Sequence, residues 1–88
     1  MCTNISESVA AAGAAKGSAG WFPVSVANVG FDHAVGSLLD HALLLDFADP
    51  TPGPSARVAV ELDLETSRAL VAALQSVIER AERSGAPV

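Results

Sequence analysis

Two histidines, His33 and His41, stand eight residues apart in "FDHAVGSLLDHALLLDF", each directly preceded by an aspartate, Asp32 or Asp40, and the chain has no other histidine. Imidazole beside carboxylate suits two kinds of chemistry. One is general acid or base work, with the aspartate orienting the ring. The other is coordination of a transition-metal ion, for which neutral imidazole is a common ligand. A third reading is plainly structural, with both rings as hydrogen-bonded polar groups at strand ends. Neither HExxH nor CxxC is present, so the spacing acquires meaning only through the elements that carry it.

Those elements are legible from periodicity. "HALLLDFA" alternates His41, Leu43, Leu45 and Phe47 against Ala42, Leu44, Asp46 and Ala48, and "DPTPGPS" after it cannot extend a ladder. "WFPVSVANVGFDH" sets Ala27, Val29, Phe31 and His33 on one side, with Pro23 near its start implying an edge position or a late entry into the sheet. "ARVAVELDL" alternates Val58, Val60 and Leu62 against Arg57, Ala59 and Glu61. "CTNISESVA" reads as a first strand, and "AAGAAKGSAG" as a flexible connection or a bulged hairpin. From Leu64 to about Ser84 the period becomes helical, with Leu70, Leu74, Val77, Ile78 and Ala81 on one side, Asp63 placed as the cap and Gly85 as the stop.

The expected architecture is therefore one α+β domain over residues 1–88, a four-stranded antiparallel meander with one C-terminal helix packed on one face. The strands are placed at about 2–10, 22–33, 41–48 and 56–62, and the helix at about 64–84. The second and third strands match best with Phe31 against Leu43, Val29 against Leu45 and Ala27 against Phe47. That register sets His33 opposite His41 and Asn28 opposite Asp46, leaving residues 34–40 as a loop.

A meander also brings the start of the first strand and the end of the fourth to the same end of the sheet. Cys2, His33, His41 and Asp63 or Glu61 are thus the candidate ligands of a zinc or copper ion, whose preferences accept mixed sulfur, nitrogen and oxygen donors. The catalytic alternative uses His33 or His41 as the acid or base with Asp32 or Asp40 orienting it, in a small enzyme or a biosynthetic accessory protein with a small-molecule ligand. A non-catalytic interaction module is the remaining reading.

Composition limits the partners. Eighty-eight residues bury only about 60% of their extended-chain surface, and half of the residues are apolar, mostly Ala, Val and Leu, with three Phe and one Trp. So small a core favours a homo-oligomer, and the sheet face bearing Val24, Val26 and Leu44 is expected to need cover. Net charge is −5, with five basic residues scattered among ten acidic ones, which disfavours nucleic acid and anionic membranes as partners. The single cysteine fits a reducing compartment. The Ala/Gly-rich stretch from Ser8 to Phe31 has neither the basic start of a leader nor the unbroken apolar run of a membrane span. The localisation expected from these features is cytoplasmic.

The opening "MCT" followed by Ile5 and Glu7, then "GWFP", "ANV" leading to "DH", a histidine before a strand ending "DF", and "ARVAVEL" before the helix form a pattern across nearly the whole chain. It resembles a family of short, actinobacterial-type proteins known as a domain of unknown function. The chain has Asn4 and Ala34 where that pattern has an aromatic residue and a proline. The resemblance implies a compact single domain and carries no activity with it.

Overall fold

A computed structural model describes residues 3–49 and 56–87. Four strands, β1 (Ile5–Gly17), β2 (Gly20–His33), β3 (His41–Asp49) and β4 (Ala56–Leu62), form one antiparallel sheet in the order β1-β2-β3-β4, and helix α1 (Leu64–Arg83) follows. This is the expected α+β meander. Each β2–β3 pair expected from the apolar pattern is found, including Phe31 with Leu43, Val29 with Leu45, Ala27 with Phe47 and Asn28 with Asp46. Alternation carries that much information because a slip of one residue turns every apolar side chain to the opposite face.

β1 runs on to Gly17, well past the expected end near Ala10, and β2 begins at Gly20. The connection is a bulged hairpin. Its register shifts between Ala10 and Gly13, and Ser18 and Ala19 make a two-residue turn closed by Gly17 opposite Gly20. Gly20 has φ +114°, a conformation open to glycine and strained for other residues. An Ala/Gly stretch has no contrast between its two faces, so its strand character leaves little trace in the sequence. Pro23 pairs with Ala14 of β1, while β3 first meets β2 at Val26. Pro23 thus lies where β2 has a neighbour on one side only, and its missing N–H breaks no β2–β3 bond.

The sheet has two unlike faces. One carries a polar row across three strand boundaries: Ser8 Oγ donates to Asn28 Oδ1 at 2.6 Å, Asn28 stands opposite Asp46, and Arg57 Nε donates to Asp46 Oδ1 at 2.8 Å. The other carries Ile5, Val9, Val29, Phe31, Leu43, Leu45, Phe47, Val58, Val60 and Leu62 in register. None of these apolar residues is buried.

The helix departs from the expected packing. Its start is well made, since Oδ1 of Asp63 accepts the Thr66 N–H at 2.7 Å and Ser67 Oγ donates to the Asp63 carbonyl at 2.7 Å. Ser84 caps the end and Gly85 turns the chain away with φ +77°. Between these ends only Ser67 is buried, and α1 meets the sheet only narrowly, against β3. Asp63 alone separates β4 from α1. So short a junction leaves no room for the chain to reverse over its own sheet, where connections between strand and helix commonly need two to six residues. The apolar stripe is present, but the sheet does not bury it. No described helix is long and apolar enough to cross a membrane.

Candidate functional site

The β2–β3 hairpin positions the two histidines. His33 ends β2 and His41 begins β3, and they are directly opposed. The Ala34 N–H donates to the Asp40 carbonyl at 3.2 Å, so the 34–40 pair takes the hydrogen-bonded position. In an antiparallel ladder the next pair, 33–41, then falls at a non-hydrogen-bonded position, where side chains come closest. The imidazole centroids are 4.2 Å apart and tilted by 36°. Phe31, two residues earlier on the same face, stacks on His41 at 5.6 Å with an interplanar angle of 21°.

Asp40 joins this pair from the loop end. Its Oδ2 lies 2.8 Å from Nδ1 of His41, and because a carboxylate only accepts, the ring nitrogen is the donor. That bond fixes the His41 tautomer and leaves Nε2 with its lone pair. One ligand atom each from His33, Asp40 and His41 lies within 4.8 Å of the others, at an exposed site. Asp32 is turned to a different task, its Oδ1 accepting the His33 backbone N–H at 2.8 Å.

The other expected members of the cluster are engaged elsewhere. Glu61 reaches under the hairpin loop, where Oε2 accepts the Val35 N–H at 2.7 Å and Oε1 accepts those of Gly36 at 3.0 Å and Ser37 at 2.7 Å. Three consecutive backbone N–H groups form an anion-binding concavity, and here the chain supplies its own anion. The Val35 N–H above all, with Ser37 and Gly36 adding to it, lowers the Glu61 pKa from its ordinary value. Asp63 is occupied by its cap, and the Thr66 side-chain and backbone hydrogen bonds lower its pKa in the same way. Cys2 lies outside the described residues.

The residue that periodicity overlooked is thus Glu61 as the anchor of loop 34–40. Its place on the polar face of β4 was readable, but its partners depend on how the loop folds back. An open groove of about 440 Å³ runs beside this anchor, lined by His33, Val35, Leu44, Asp46, Arg57 and Glu61 among others.

A model of a family of unknown function (DUF6295) matches residues 1–87. No curated protein and no solved structure matches the chain.

Proposed function

The chain belongs to that family of unknown function, and we propose that its hairpin end binds a divalent transition-metal ion, zinc or copper, through His33 and His41 with Asp40 beside them. The observation that carries this reading is the close opposition of the two imidazoles, 4.2 Å between centroids, with the Asp40 carboxylate on His41 Nδ1. A carboxylate on one nitrogen of a histidine raises the basicity of the other and orients it, an arrangement typical of metal-bound histidines. Both zinc and copper(II) accept imidazole nitrogen. The remaining coordination positions at so exposed a site are open to water or to a further donor.

The acid–base reading of the same histidines has less support, because the groove beside His33 is open to solvent and offers no dry environment for proton transfer. Titration calorimetry of metal-free protein with zinc and with copper(II) tests the proposal. One equivalent of either ion bound by the native chain, and lost on His33→Ala and on His41→Ala, is the expected result. Absence of stoichiometric binding of both ions by the native chain overturns it.

A further inference from the structure

The exposed stripe of α1 and the uncovered apolar face of the sheet call for a common explanation. Leu70, Val71, Leu74, Val77 and Ile78 are between 38% and 60% exposed along the helix, and Ile5, Val9, Phe47 and Val60 are exposed on the sheet. Among the described residues no large side chain is fully buried, and the buried apolar residues are Val24, Ala42 and Ala48. That is too little core to offset the ordering of a chain this size.

We propose that these two surfaces are the interface with a second copy of the chain. The area supports that occupant. A folded monomer of 8.9 kDa is expected to expose about 4,800 Å², whereas this chain exposes 6657 Å². The excess of about 1,850 Å² per chain corresponds to an interface of about 3,700 Å² between two copies, within the range of roughly 2,000–5,000 Å² found in obligate homodimers. The Cα radius of gyration points the same way, at 14.8 Å against about 12 Å for a compact chain of this length.

The chain's own sheet is a poor alternative for covering the helix, because Asp63 is the whole junction and is locked as the cap. Charge also favours a like partner. The helix carries Glu65, Glu79 and Glu82 against Arg68, Arg80 and Arg83, so it is neutral within a chain of net charge −5. Two helices can therefore approach without the repulsion that the rest of the chain would impose. The two copies are related by a two-fold axis, each covering the helix stripe and apolar sheet face of the other.

Sedimentation equilibrium of the full chain at about 100 µM tests the state directly, and twice the chain mass is expected. A single-chain mass overturns the proposal, whether the helix then proves to rest on its own sheet or to await a different protein. Amide hydrogen exchange on the same native sample tests the surface. Slow exchange along residues 70–81 is expected, and rapid exchange there in a chain of double mass overturns the assignment of the helix. The double variant Leu74→Glu, Ile78→Glu is expected to lose the double mass, as a monomer or as an unfolded chain. Its persistence as a dimer overturns the helix assignment.

Discussion

Oδ2 of Asp40 accepts a hydrogen bond from Nδ1 of His41 at 2.8 Å, although the Asp40 side chain is 92% exposed and that of His41 only 29%. An exposed hydrogen bond of this kind adds little to stability. Its consequence lies in the orientation of the ring. Asp40→Asn is expected to leave the thermal midpoint nearly unchanged and to weaken zinc or copper binding about tenfold or more, the usual effect of removing a carboxylate from a metal-binding histidine. Titration calorimetry of the variant beside the native chain checks this, and equal affinities would remove Asp40 from the site.

Glu61 predicts the behaviour of the hairpin loop. In Glu61→Gln the side chain keeps one carbonyl oxygen but loses the charge that three N–H groups converge on. Faster amide exchange at Val35, Gly36 and Ser37 is expected, along with a lower melting temperature. Unchanged exchange at all three amides would show that the loop holds its shape without the anion.

Acid stability follows from the same carboxylate and from the helix cap. Both Glu61 and Asp63 have pKa values lowered in the folded chain, from reference values of 4.5 and 3.8. Each therefore contributes stability that is complete above its unfolded pKa and is lost as pH falls toward and through its folded one. Melting temperature measured downward from pH 6 should hold level and then decline below about pH 4.5. Glu61→Gln should make that decline shallower. A native profile that stays flat to pH 2 would contradict the hydrogen bonds drawn to both groups.

Two glycines of the first hairpin separate backbone strain from crowding. A Cβ at Gly20 meets nothing within 4 Å, yet φ is +114°. Gly20→Ala should cost about 1–3 kcal/mol, the usual range for a residue held in a disfavoured conformation. Gly13 is equally open and has no such φ, so Gly13→Ala should be neutral or slightly stabilising. Denaturant unfolding of the two variants checks the contrast, and equal effects would argue against the Gly20 turn.

The β2–β3 pairing was legible because Val29, Phe31, Leu43 and Leu45 recur at alternate positions, a slip of one residue would turn one set to the opposite face, and the register that also meets Ala27 with Phe47 and Asn28 with Asp46 matches best. The opposition of His33 and His41 followed from that register alone. The reach of β1 was not legible, because alanine and glycine fill both of its faces from Ala10 to Ala15 and leave no alternation to read. The role of Glu61 is not legible in the sequence for another reason. Strand parity says which face a side chain takes, but its hydrogen-bond partners here come from a loop that only the folded chain brings to it.

The helix marks where local pattern ends and tertiary structure begins. Leu70, Leu74, Val77 and Ile78 at helical spacing, with Asp63 before them and Gly85 after, determine by local physics that this segment is an amphipathic helix and where it stops. What that stripe meets is not a local property. It depends on the direction in which β4 delivers the chain, and a one-residue junction directs the helix away from the sheet that would otherwise have covered it.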